Sequence, residues 1–232
     1  MLVRFILFCF LLFPLSGASQ QYDIEEDSML YEDYYVDTTK SIHIGIEVGG
    51  NVQSLFYSIN SDYEHSDSIL FNGSTPSIGY TIGLSFAKDI SDKLWLKSGI
   101  YISISKLNIK YDYQNSNNNY SFNHSTLEVP FYLQYSFKNR REGLSWGTGF
   151  KASIDITRDE DIEARLFKLN TFDLLLGTGP NYRWKLISGN SVDLSIMLNV
   201  GLINIIGENS SIYNQSLNAG HRWQLLFLLG FN

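Results

Sequence analysis

Three histidines stand beside hydroxyl and acidic side chains: His65 in YEHSDS, His124 in FNHST and His221 in AGHRW, with Ser66, Asp67 and Ser125 close by. A hydroxyl, an imidazole and a carboxylate are what acyl transfer requires, so a Ser-His-Asp set can be assembled from them on paper. No spaced motif of the GxSxG or HExxH kind accompanies them. Loops rich in Ser and Asp bring these residue types together by composition alone, and the reading is polar loop or strand-end histidines, not catalysts. His43 is expected as a hydrogen-bonding group inside the fold. The acidic run RDEDIE, from Arg158 to Glu163, lacks the DxDxDG spacing and loop glycine of a calcium site and reads as a solvated loop. The sequence has no glycine-rich phosphate cradle and no basic patch interleaved with aromatics. The expectation is therefore no enzymatic activity, no metal, no cofactor and no nucleic-acid partner.

A second set of charged residues has a regular spacing. Glu47, Lys97, Glu128, Lys151, Asp155, Asp173, Arg183, Asp193 and Arg222 each sit in a segment where large apolar residues recur at every second position. Period two is the signature of a strand with chemically distinct faces. Eight such segments follow one another, and all nine charges fall on the non-apolar face. The first sets Ile42, Ile44, Ile46 and Val48 against His43, Gly45, Glu47 and Gly49. The fourth, LEVPFYLQYSF, sets Leu127, Val129, Phe131, Leu133, Tyr135 and Phe137 against Glu128, Pro130, Tyr132, Gln134 and Ser136. In the third, the phase slips beyond Ile104 to Leu107, Ile109 and Tyr111, which reads as a β-bulge.

Connection lengths alternate as well. KDISDK, KNRREG and LISGN are short enough for hairpins, whereas the connections around 58–76, 113–124, 157–168 and 207–218 are longer and polar. Short turns at one rim and long loops at the other predict an all-β, eight-stranded antiparallel up-and-down barrel that crosses a membrane. Residue size decides which face meets lipid: some forty bulky side chains overfill an eight-stranded interior, while Gly, Ser and Thr fit one. With the apolar face outward, Phe86, Phe137, Trp146, Trp184 and Phe231 form a girdle at the short-turn rim, and Tyr80, Phe172 and Trp223 a girdle near the other. The nine charges then line a narrow lumen, where isolated charge is costly and pairing is expected.

The ends of the chain fit export. Residues 1–19 have a basic start at Arg4, an apolar run from Phe5 to Leu15 and small residues after it, the layout of a cleaved signal peptide. The one cysteine, Cys9, lies inside that run, so thiol chemistry is not expected of the remainder. Residues 20–40 read as a disordered leader on the periplasmic side. Its stretch YDIEEDSMLYEDYYVD holds seven acids and no base, nearly the whole formal charge of −7. Residues 41–232 are the barrel.

The span LEVPFYLQYSF resembles a strand that recurs in the PorT-like outer-membrane β-barrel domain of Bacteroidota, and GASQQ at the expected mature start is similar to exports from that phylum. The resemblance implies an eight-stranded PorT-like or OmpA-like domain in the bacterial outer membrane. Insertion by the outer-membrane barrel-assembly machinery is expected, from the alternation that ends at Phe231. The expected partners are the lipid bilayer, that machinery, and a protein partner at the outer loops or the acidic leader. The expected work is structural support, adhesion or partner binding, or assistance to a secretion complex. A loop-based enzyme and a small porin are the rival classes.

Overall fold

A computed structural model describes residues 42–59, 70–113, 116–137, 143–157, 169–186, 190–206 and 217–231. Nine strands follow in chain order: β1 (Ile42–Ile59), β2 (Leu70–Thr75), β3 (Ser77–Asp89), β4 (Leu94–Tyr113), β5 (Ser116–Ser136), β6 (Gly143–Asp155), β7 (Phe172–Lys185), β8 (Ser191–Gly201) and β9 (Leu217–Phe231). Every pairing is antiparallel. Only Pro76 separates β2 from β3, and both pair with β4, so the two are halves of one stave. A proline has no N–H to give a ladder, which is why the strand breaks there. The ring β3–β1–β9–β8–β7–β6–β5–β4 closes on itself, so the wall has eight staves and its closed part has no free edge; β2 and the start of β5, Ser116–Ser125, extend beyond it paired with β4.

Alternation settles the two faces. On β1, Ile42, Ile44, Ile46 and Val48 are exposed, while Glu47, Asn51 and Gln53 are buried. The same outward exposure of Ile, Leu, Phe and Tyr recurs on all the staves, for example at Leu84, Ile100, Phe131, Phe150, Leu198 and Phe227. An uninterrupted apolar collar on this scale far exceeds the patches that water-soluble monomers tolerate. Its medium is lipid. On β4 the collar runs from Leu94 to Ile104, and along β5 from Phe137, the residue just past its end, back to Leu127, eleven residues each. At about 3.3 Å per residue and a tilt near 40°, eleven residues rise about 25 Å, the height of the apolar band on such barrels.

Two sequence-based expectations fail at this point. The segment 113–124, read as a long loop, is mostly strand, since β4 reaches Tyr113 and β5 begins at Ser116; the segment 58–76 likewise holds the end of β1 and all of β2. The bulge expected beyond Ile104 is absent. One register holds from Leu94↔Tyr135 to Tyr113↔Ser116, so Leu107, Ile109 and Tyr111 keep the inward phase of Ser103 and Ser105. What changes is the medium. Above Ile104 the outward residues become Lys106, Asn108 and Lys110, and the inward ones become apolar: Leu107 and Ile109 are almost wholly buried. Each face swaps its chemistry where the wall leaves the lipid while the β4–β5 register stays unbroken; the irregularity at this height lies on the other flank, in β2, where the register with β4 shifts between Phe71 and Gly73.

Inside the lipid-spanning part, tyrosines lie flat against the wall because glycines leave room. A Cβ on Gly83 would sit 2.5 Å from Cδ1 of Tyr101, and one on Gly99 would sit 2.5 Å from its Cε2. Gly83→Ala is expected to cost about 1–3 kcal/mol, the usual price of overpacking. Urea titration of the folded, heat-modifiable form on gels reads the change.

Candidate functional site

Among the described residues the interior gathers a set of buried, paired charges, and it is stacked in layers. Nearest the short-turn rim, Arg183 on β7 donates two hydrogen bonds to Asp193 on β8, at 2.6 and 2.5 Å. The Arg183 guanidinium also stands 5.7 Å over the ring of buried Trp95. In the next layer the Lys97 ammonium lies 2.6 Å from Glu47, and the Tyr101 hydroxyl donates to the same carboxylate at 2.9 Å. Tyr132 donates to Asn199 at 2.6 Å.

The central layer is a chain of alternating charge. Lys151 donates to Glu128 at 3.0 Å and to Gln224. Arg222 lies 3.9 Å from Glu128, too far for a hydrogen bond, and donates to Asp173 through Nε at 3.1 Å. Above it Asn51 donates to Thr81 and Ser103, and Gln53 donates to Ser105 and meets His124 Nδ1 at 3.3 Å. Asp155, at the end of β6, accepts from the backbone and the hydroxyl of Thr157.

An apolar cap closes the stack. Leu55, Leu107, Ile109, Phe122, Leu169, Ile205 and Ile206 form one buried cluster, with Tyr57, Tyr111 and Tyr120 against it. Asn204 pins the cap by accepting from the backbone N–H groups of Ile206 and Gly220, at 3.0 and 2.8 Å. Ile206 rests on Gly220, where a Cβ would come within 2.7 Å of its side chain. Burial raises the Tyr57 hydroxyl above its ordinary value, and a hydrogen bond with the Gly73 backbone opposes the shift.

Two cavities of about 10 Å³ each lie in the packing among the described residues. One borders Glu47, Lys97, Tyr101 and Lys151, the other His124, Ser153, Asp173 and Arg222. A void of that size admits about one water. Arg222 Nη1 and Nη2, Ser153 Oγ and Asp173 Oδ1 have no hydrogen-bond partner among the described residues, so a water there has donors and acceptors to meet.

The structure places all nine charges of the sequence set on the inner face or its end, and brings Glu128, Lys151, Asp173 and Arg222 together. The eight girdle aromatics Tyr80, Phe86, Phe137, Trp146, Phe172, Trp184, Trp223 and Phe231 lie on the outer face; Trp223 stacks near Phe56, and the Trp146 indole donates to Thr178. His43 is at the short-turn rim, 3.9 Å from Asp89. His124 is neither in a loop nor at a strand end: it lies well inside β5, buried and facing inward. His221 pairs with Phe56 on the outer face of β9. Those two imidazoles are on opposite sides of the wall and share no site. His65, Ser66, Asp67 and the run 158–163 lie outside the described residues, as do residues 1–41 with the signal and leader segments.

Sequence reasoning missed the apolar part of the interior: Trp95, Leu175, Met197, Leu226 and Leu228, besides the cap. The signal was present as unbroken apolar runs, LLL at 174–176 and LLFLL at 225–229, where both faces are oily and period two is masked. Among the described residues no group of His, Cys, Asp and Glu is arranged to hold a metal ion.

A closed eight-stave ring with an apolar exterior and a charged interior calls for a membrane family, and a sequence profile of the outer membrane protein β-barrel domain matches residues 19–207. The chain belongs to that family. The outer-membrane barrel therefore sits in the bacterial outer membrane, against its lipid bilayer. Among solved structures it is similar to the outer membrane protein OprG of Pseudomonas aeruginosa, at 13% identity over 83% of this chain and 96% of that one, with a TM-score of 0.47. It is also similar to a FadL homologue of the same organism, at 11% identity over 82% of this chain and 48% of that one, with a TM-score of 0.27. No curated protein sequence matches it.

Proposed function

We propose that this outer-membrane barrel is a sealed, non-enzymatic wall protein of the PorT-like or OmpA-like kind, whose work is done at its surfaces: membrane support, and binding of a partner at the long-loop rim. In this reading the long-loop rim faces the exterior and the acidic leader the periplasm. The observation that carries it is the filled interior. Among the described residues, paired charges, then amides and hydroxyls, then an apolar cap follow one another along the lumen, and the two cavities between them each admit about one water. An eight-stranded barrel has little width to begin with. The continuation of β4 and β5 above the lipid around their own apolar core adds a stiff platform for a partner, and assistance to a secretion complex is one form that partnership takes.

The test is planar-bilayer recording on refolded protein whose folding is verified by heat-modifiable migration. The expected result is no stable unitary conductance. Steady ohmic channels of uniform size would replace this reading with that of a small porin.

A further inference from the structure

Above the lipid-facing collar, the outer surface of β4 and β5 carries a particular chemistry. Lys106 and Lys110 are exposed on β4, with Asn108 between them. Their cross-strand partners on β5 are Asn123, Ser121 and Asn119, in register Lys106↔Asn123, Asn108↔Ser121 and Lys110↔Asn119. On the other flank Lys110 is opposite Gly73 and Asn108 opposite Thr75. Gly73 has a φ of 136° and a Cβ built on it would meet only open space, so the flank beside Lys110 is low. Asp112 follows two residues above Lys110, so positive charge is concentrated between Lys106 and Lys110. Immediately below is the last apolar ring, where Tyr80 pairs with Ile104 and Ile78 is 82% exposed.

The level of this patch identifies its neighbour. Lys106 is the first outward residue past Ile104, and Lys110 lies about 13 Å further along the strand at about 3.3 Å per residue, or about 10 Å higher at the tilt of such staves. Headgroups occupy roughly the 5–8 Å beyond each edge of the hydrocarbon. Lys106, about 5 Å above Ile104, therefore stands within the headgroup layer, and Lys110, about 15 Å above Ile104, stands at its outer side, from which its long stem reaches back down toward it. Cations there meet phosphates, and a column of amides and hydroxyls beside them meets sugar hydroxyls.

We propose that the outward face of Lys106, Asn108 and Lys110 on β4, with Asn119, Ser121 and Asn123 on β5, binds a phosphorylated glycolipid headgroup of the outer leaflet. The lysines engage the phosphate and the amide and hydroxyl column engages the sugar. This rests on the orientation given above, with the long-loop rim at the exterior.

The experiment uses the full chain refolded into phosphatidylcholine vesicles doped in turn with a phosphorylated disaccharide glycolipid, the same glycolipid without phosphate, or phosphatidylglycerol. Lipid retained per barrel after gentle detergent extraction is read by mass spectrometry. The wild type is expected to retain the phosphorylated glycolipid over both others. The double variant Lys106→Gln/Lys110→Gln is expected to lose that retention by about fivefold per lysine. Lys93→Gln/Lys185→Gln makes the same charge change at the opposite rim and is expected to behave as wild type; heat-modifiable migration checks that every variant is folded. Equal retention by both double variants, or equal retention of glycolipid with and without phosphate, overturns the proposal, as does phosphatidylglycerol held as well as the glycolipid. Vesicle retention does not depend on orientation in a cell. A separate readout, impermeant labelling of Asn117→Cys on intact cells, tests that: label only after permeabilisation sinks the orientation while the vesicle result stands.

Discussion

Replacing Lys151 by methionine is expected to destabilise the barrel by about 3–5 kcal/mol, because it strands a charge in the centre of the lumen. Glu128 is 1% exposed and accepts from Lys151 at 3.0 Å; its other cation, Arg222, is 3.9 Å away and committed through Nε to Asp173. With Lys151 gone, Glu128 keeps weak hydrogen bonds from Thr126 and Gln224, at 3.2 and 3.3 Å, and an attraction to Arg222 that falls short of contact. Removing both members of the pair has a different consequence. In Lys151→Met/Glu128→Leu no charge is left uncompensated between them, and the double variant is expected to be more stable than the sum of its single changes by at least 1.5 kcal/mol. The measurement is a double-mutant cycle by urea titration of the folded fraction in detergent micelles. Additive losses would mean that Glu128 and Lys151 do not hold one another. The coupling should also survive high salt, since buried pairs are hardly screened.

That cycle tests a part of the molecule that was legible in the sequence. Period two places Glu47, Lys97, Glu128, Lys151 and Arg222 on one face because the opposite face is uniformly oily, and an oily exterior is what lipid demands. Where both faces become apolar the signal disappears. Met197, Leu226 and Leu228 are inward yet stand among outward Ile196, Leu198, Phe227 and Leu229, so nothing in their types separates the sides. They fit beside Tyr101 and Tyr132 because those rings lie on glycines, a spatial relation that no local pattern carries. One of the two partners of Lys151 was equally illegible. Glu128 faces it from the adjacent strand β5, but Gln224 comes to it across the lumen from β9, and only closure of the ring does that. His124 was misread because FNHST looks like a polar loop; it is strand, with Asn123 and Ser125 facing out and Phe122 and His124 facing in.

The exchange of chemistry at Ile104 predicts a sharp dependence on height. Lysine substituted outward at Ile100 or Phe131, near the middle of the collar, is expected to cost about 2–4 kcal/mol, because an ammonium must leave water for hydrocarbon. The same lysine at Ser121 or Asn119, outward on the same strand pair but above the lipid, is expected to stay within about 0.5 kcal/mol of wild type. For the inward face the order reverses. Leu107→Ala removes a side chain that is 0% exposed in the cap and is expected to cost about 2–5 kcal/mol, as in the core of a water-soluble protein. Ser103→Ala, two inward positions below Leu107, loses hydrogen bonds with Asn51 and Thr81 and is expected to cost about 1–3 kcal/mol. Urea titrations in vesicles read all of these. A gradual rise in cost with depth, with no break between Ile104 and Lys106, would place Leu107 and Ile109 at a lipid boundary and remove the soluble core from the upper barrel. A break at that step means that a single continuous strand pair is a membrane stave below and the wall of a water-soluble core above, with side-chain size and polarity alone marking the surface of the bilayer.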